Sequence, residues 1–244
     1  MISVDLVAHN KLIPGETFQG FTETGISFLM ELEKNNHVHW FYRHLEVYYK
    51  HLVEPAEKLK TALLYRIQTH LQEQDISIDL KCSLEAIKQV PPETDSTQTT
   101  YKPRLGLCFS PGHEGCHPCF HICITPTNLF LKGGIFHFNP SQLAYFRESI
   151  LDPISLQGLS FVLDEILTRG VYTVNGSTLN ETPDGYAHVV KPHPLIRHTG
   201  LWLTLKTPHP VNLYSAHFSD YCYVHFRKMT KLLSWLHNNL PRSG

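Results

Sequence analysis

No run of about 18 apolar residues occurs anywhere in this chain, so no segment is long enough to cross a bilayer as a helix. An excess of either charge is missing too. With 21 basic residues against 22 acidic ones and a formal net charge of -1, nothing in the composition favours nucleic acid or an anionic membrane surface as a partner. The opening residues Met1 to Leu6 have neither a basic flank nor a continuous apolar region, which leads us to expect a soluble, cytoplasmic protein. Cysteine is too sparse to be a framework. Six cysteines in 244 residues are not needed as staples, and free thiols or metal ligands are the expected use. Phosphate-loop patterns are absent as well, because Gly133-Gly134 lacks the spacing of GxGxxG or GxxxxGK[ST] and reads as a close backbone approach.

What is present is a core. Apolar residues make up 42% of the chain and aromatics 11%, enough to fold residues 1–244 as one domain. Seventeen histidines add a reserve of positive charge at mildly acidic pH.

Periodicity sets the expected elements. Residues 1–20 read as a lead-in arm ending at Gly20, followed by a helix with Phe28, Leu29 and Leu32 on one face. Asn35-Asn36 is expected to end that helix and cap the next, whose stripe is Trp40, Phe41, Leu45, Tyr48 and Leu52. Pro55 predicts a break or bend, beyond which Leu59, Leu63, Ile67 and Leu71 continue the stripe. Residues 91–100 are a polar run expected to form a surface loop. The period then changes to two. In 119–124, Phe120, Ile122 and Ile124 fall on one face of a predicted strand, and Cys119, His121 and Cys123 on the other. Further strands are expected at 129–138, 171–174, 186–190 and 201–206, and helices after the Asn139-Pro140 cap, over 155–169, and along Cys222, Phe226, Met229, Leu233 and Leu236. The expected fold class is α+β: helices at the N-terminus, a central mainly antiparallel sheet, and a C-terminal helix packed on it.

Chemistry is concentrated between Cys108 and Cys123, which hold four of the six cysteines. His113, Cys116, Cys119 and His121 form a candidate zinc set, since thiolate and imidazole suit that ion and Cys116-x-x-Cys119 lets two sulfurs reach it. All four come from one short segment without a second ligand hairpin. Cys116 and Cys119 also have the spacing of a redox dithiol, although reactive pairs usually begin a helix and this one runs into a strand. A cysteine nucleophile with a histidine base is a third reading, with Cys108, Cys116, His113 and Glu114 as its nearest groups. His37 and His39 fall on different sides of a helix and do not make a metal site.

Phe28-Leu29, Leu32, Asn35-Asn36, Trp40-Phe41, Tyr48 and Pro55, followed in order by Phe130, Gly133-Gly134, Leu143, Arg147, Ile150, Pro183, Gly185 and His193-Pro194, resemble the landmarks of the domain of unknown function 2461 family of conserved hypothetical proteins. That resemblance implies a charged central motif of the form Arg-x-x-Arg-Asp-x-Arg-Phe-Ser-x-x-Lys-x-Pro-Tyr-Lys-x-His. Aligned on Phe109-Ser110, Lys102 stands at its first arginine, while Leu105, Gly106 and Cys108 stand where Arg, Asp and Arg are expected. His113 and His117 fall at the two lysines, and Gly115, Cys116 and Cys119 replace Pro, Tyr and His. Fixed charges suited to an anion have given way to neutral or titrating groups.

Two functions follow. The first is a binding protein for an unidentified protein or small-molecule ligand, with Asn36, Trp40, Lys102, His113 and His117 as candidate contacts. The alternative is a zinc-dependent hydrolase rebuilt around the His/Cys segment, holding its ion on His113, Cys116, Cys119 and His121 with one open position.

Overall fold

The computed structural model describes residues 17–87, 89–90, 100–112, 116–183, 185–186 and 193–241. Three helices open it, α1 (Glu23–Lys34), α2 (Val38–Arg43) and α3 (Leu45–Tyr48), and a π-helical turn (Tyr49–Val53) leads into α4 (Glu54–Glu73). Helix α1 starts where the Thr22 hydroxyl accepts the Gly25 N–H at 3.2 Å, and its stripe of Ile26, Phe28, Leu29 and Leu32 is buried. At the next junction the expected cap shifts by one residue. The His37 ring accepts the Trp40 N–H at 3.2 Å and caps α2, which leaves the Asn36 side chain for another use. The bend expected at Pro55 takes the form of the π-helical turn just ahead of it. Pro55 itself sits in the first turn of α4, directly after that π-helical turn.

The strands are β1 (Lys81–Glu85), β2 (Gln89–Val90), β3 (Thr100–Tyr101), β4 (Leu105–Ser110), β5 (Cys119–Ile124) and β6 (Asn128–Ile135). Helices α5 (Pro140–Leu151) and α6 (Pro153–Leu167) follow, then β7 (Thr173–Asn175), β8 (Leu201–Pro208) and α7 (Phe218–Asn239). Asn139 and Gln142 form a reciprocal capping box on α5. Helix α6 begins two residues earlier than expected because the Asp152 carboxylate accepts the Ser155 N–H at 2.8 Å. Six strands pair antiparallel in the order β1-β4-β5-β6-β8-β7, and β2 pairs with β3 in a separate ladder. The expected α+β class and central antiparallel sheet are observed. Of the lead-in arm, 1–16 lie outside the described residues; Phe18, in the part that is described, is buried against Phe21 and Phe218 with ring centroids 5.8 and 6.4 Å away. Of the polar run, 91–99 lie outside them and Thr100 enters β3, and of the strand expected at 186–190 only Tyr186 is described.

Strand geometry gives the sheet two unlike faces. Leu105, Leu107, Phe109, Phe120, Ile122, Ile124, Leu129, Leu131, Leu203 and Leu205 alternate onto one face and are buried. Helix α7 lies against that face: Phe226 packs on Phe120 at 4.7 Å and on Phe109 at 6.2 Å. A Cβ on Gly133 would meet Met229 at 2.9 Å, so glycine there lets the helix approach closely. Gly134 answers a different demand. Its φ is +153°, and a Cβ there would come within 2.3 Å of the Leu201 carbonyl oxygen on β8.

Candidate functional site

The opposite face collects the polar alternates. In register across the strands it carries Ser83 and Glu85 from β1, Gly106 and Cys108 from β4, Cys119, His121 and Cys123 from β5, Phe130 and Lys132 from β6, and Trp202 and Thr204 from β8. Glu85, Lys132, Phe130 and Trp202 are half-buried, so among the described residues this face is surfaced by side chains of its own strands. Phe136 extends the row past the end of β6, its ring 5.3 Å from Trp202 and 6.2 Å from His121, both edge-on, with the Lys132 ammonium 5.8 Å from its centre. The result is a polar floor with an aromatic wall.

His121 is the centre of that floor. It is only 8% exposed, and its Nε2 lies 3.1 Å from Oε2 of Glu85. A carboxylate accepts and does not donate, so the proton sits on Nε2 in the neutral ring. Nδ1 is buried and has no hydrogen-bond partner among the described residues. A buried imidazole nitrogen is costly to leave unsatisfied, by about 1–3 kcal/mol, and functional sites are where such groups persist.

The thiols around it differ sharply. Cys108 stands directly opposite His121 across the β4–β5 ladder, and the Cys119 thiol hydrogen-bonds to it from the same face. That hydrogen bond, first of all, lowers the Cys108 pKa, against the opposing effects of burial and of the Glu85 charge. Cys119 moves well up, through the same hydrogen bond and through its burial. Burial pushes Cys123 up as well, and Cys82, on the helix side of the sheet, up to about 12. Among these thiols Cys108 takes the negative charge most readily.

Of the residues expected to bind zinc, Cys116, Cys119 and His121 are described and are not grouped to hold an ion. Cys119 and His121 share the open face, whereas Cys116 is buried ahead of β5 with its carbonyl accepting the Gln142 amide at 3.0 Å, and His113 lies outside the described residues. Among the described residues no three His, Cys, Asp or Glu side chains are grouped to hold a metal ion. Zinc, and the hydrolase built on it, therefore has no support here. Cys116 and Cys119, the pair with dithiol spacing, are both buried thiols.

Asn36, Trp40 and Lys102 lie together but elsewhere. Asn36 Oδ1 accepts the Tyr101 N–H at 2.6 Å and Asn36 Nδ2 donates to the Tyr101 carbonyl at 2.8 Å, so this side chain ties the α1–α2 junction to β3. Trp40 packs on Phe28 at 5.3 Å and stacks on His44 at 4.1 Å, and Lys102 is exposed. The first two belong to the aromatic packing of the N-terminal helices with Phe41, Tyr48 and Tyr101. His117 is in a third place, on the rim of a cavity of about 220 Å³ with Asp79, Gln142, Leu236 and His237.

Over residues 24–235 the chain matches the family described as conserved hypothetical protein (DUF2461). It belongs to that family. No curated protein matches it. Within the DUF2461 frame the altered central motif acquires a location: positions 106 and 108 project onto the open face and Leu105 points into the core. The open face is thus where this member departs from the charged pattern. Among the described residues no helix is long and apolar enough to cross a membrane.

Glu85, Lys132, Phe136 and Trp202 are the residues that reading along the chain does not reveal. Only strand register brings them beside His121. The one available signal for Glu85 was the alternation of Cys82 and Leu84 in β1, two positions long.

Proposed function

We propose that this DUF2461 protein is a binding protein whose ligand lies on the open face of the sheet, over His121. The observation that carries this reading is the buried His121 ring, fixed through Nε2 by Glu85, with a buried Nδ1 that has no partner among the described residues. An oriented polar group beside aromatic walls is the usual composition of a small-molecule site. Charge supports the same assignment. Gly106 and Cys108 stand where the family motif has Asp and Arg, so the ligand suited to this face is a small, uncharged polar molecule and not a multiply charged anion. The cavity by His117 is the weaker candidate, since at about 220 Å³ it is below the roughly 300–1,000 Å³ usual for such ligands.

The test is a fragment screen read by amide chemical shifts on the full chain. Hits should perturb Glu85, His121, Lys132 and Trp202 together, and Thr204→Trp, which fills the face, should abolish them. Perturbations confined to the Asn36–Trp40 cluster or to the His117 cavity would overturn the assignment.

A further inference from the structure

The open face holds more than a passive floor. Cys108, His121 and Glu85 lie on three neighbouring strands: Cys108 and His121 are direct partners across β4 and β5, and Glu85, paired with Gly106 in the adjacent row, reaches His121 from β1. Directly opposed residues in an antiparallel pair have Cβ atoms about 4.5–5.5 Å apart, near enough for a thiol and an imidazole to meet by small side-chain rotation. The roles separate by atom. Glu85 holds the Nε2 proton, so the lone pair of Nδ1 is the basic site, and that nitrogen has no other partner among the described residues. Cys119 lies on the same face, and its thiol is the chief influence that holds the Cys108 pKa down. Cys108 is half-buried, whereas Cys119 and Cys123 are only 2% and 7% exposed, so among the three thiols of this face it is the accessible one.

We propose that Cys108 is a nucleophilic thiol that takes a carbon group from a small uncharged electrophile bound on this face, with His121 as its base, Glu85 as the residue that orients the base, and Cys119 as the donor to the thiolate. In the step, the Cys108 proton passes to His121 Nδ1 and the sulfur attacks the electrophilic carbon. With an acyl ester, the S–C bond forms as the C–O bond breaks, and the alcohol leaves with the proton from the imidazolium, giving a thioester and no net redox change. The inference rests on the open face being the ligand site. It adds the covalent chemistry of that site.

Iodoacetamide is the direct probe, since its alkylation of a thiolate forms the S–C bond and releases iodide. In the native full chain at pH 7, with label mapped by peptide mass, Cys108 should react at least ten times faster than the half-buried Cys82. His121→Gln should slow Cys108 at least fivefold and move the midpoint of its pH–rate profile upward. Cys119→Ala should slow it as well, and Cys119→Ser, which restores a donor, should recover most of the rate. Circular dichroism of each variant separates lost reactivity from lost fold. Cys108 reacting no faster than Cys82, or at a rate unmoved by both His121→Gln and Cys119→Ala, overturns the proposal. Fragment binding measured on Cys108→Ser keeps the two readings apart. Fragments that still perturb the face beside an inert Cys108 leave the binding site standing and remove the nucleophile, and a fast Cys108 in the wild type supports the nucleophile.

Discussion

The Glu85 carboxylate occupies the space that a side chain at position 106 would need: a Cβ on Gly106 would lie 2.7 Å from Glu85 Oε2, the same oxygen that meets His121 Nε2 at 3.1 Å. Where the family motif has an aspartate at this position, the present chain supplies a carboxylate from the neighbouring strand and keeps position 106 bare to admit it.

That relationship is testable by a double-mutant cycle. Gly106→Ala should displace Glu85 from His121 and destabilise the fold by about 1–3 kcal/mol, through crowding and through the lost hydrogen bond. Once Glu85→Ala has removed the carboxylate, the same Gly106→Ala should cost at least about 1 kcal/mol less, because only the Cβ at position 85, 3.0 Å away, still crowds it and no hydrogen bond to His121 is left to lose. Urea denaturation of the four proteins measures the coupling. Strictly additive effects would mean that the two positions do not compete for space.

Asn36 makes a different kind of prediction, because both of its side-chain hydrogen bonds end on the backbone of Tyr101. Asn36→Ala should cost about 1–3 kcal/mol and loosen the junction between β3 and the first two helices. Hydrogen exchange at the Tyr101 amide should accelerate, and the reactivity of Cys108 should not change. If the substitution instead left stability intact and altered binding on the open face, Asn36 would be a ligand contact after all.

How far the chain could be read without its structure depends on where the information lies. The helical stripe through Cys222, Phe226, Met229, Leu233 and Leu236 is legible because it repeats over about four turns, and each of those residues is buried on α7. The split of β5 into an aliphatic face and a thiol–imidazole face is legible for the same reason. The site is less so. Its Glu85–His121 contact joins residues 36 positions apart, and only the order β1-β4-β5 brings their strands within reach. The proposed zinc set is not a matter of strand periodicity alone: pleating puts Cys119 and His121 on one face of β5, Cys116 lies ahead of that strand, and His113 lies outside the described residues. Asn36 was misread as a cap because a cap and a strand tie use the same amide.

Gly133 and Gly134 are adjacent but should respond in opposite ways to rescue. Gly134→Ala combines a backbone angle that L-residues avoid with a contact of 2.3 Å to a carbonyl that is part of β8. It should cost about 3 kcal/mol or more, with no single compensating change. Gly133→Ala presses on the Met229 side chain, on its Cβ at 2.9 Å and its Sδ at 3.0 Å, so its cost of about 1–2 kcal/mol should fall in part when Met229 is shortened to Ala in the same protein, which removes the sulfur contact and leaves the Cβ one. Thermal melts of the pair and of the double variant decide it. Equal tolerance at both positions would contradict the geometry of β6.

The last prediction concerns acid. His225 on α7 accepts the Tyr172 hydroxyl at Nδ1, 2.5 Å away, lies against the Tyr221 ring, and is held down to about 4 by burial, with a smaller contribution from the Lys228 charge. Protonating the ring would place a charge in this partly buried site. In the unfolded chain the same ring takes its proton near pH 6.5, so between about pH 6.5 and 4 the unfolded state binds more protons than the folded one. The stabilisation is therefore complete above about pH 6.5 and is lost as pH falls toward 4. Because the ring is partly exposed, screening reduces the loss to about 1–2 kcal/mol over that window. His70 and His198 are shifted in the same direction, chiefly by burial, and add to the acid sensitivity of the wild type. Comparing wild type with His225→Gln isolates one ring, since the other two are common to both proteins and glutamine still offers Tyr172 an acceptor. Urea denaturation at pH 7 and pH 5 should show the variant losing less stability on acidification by about 1 kcal/mol, and identical losses in the two proteins would mean that His225 is already free to protonate in the fold.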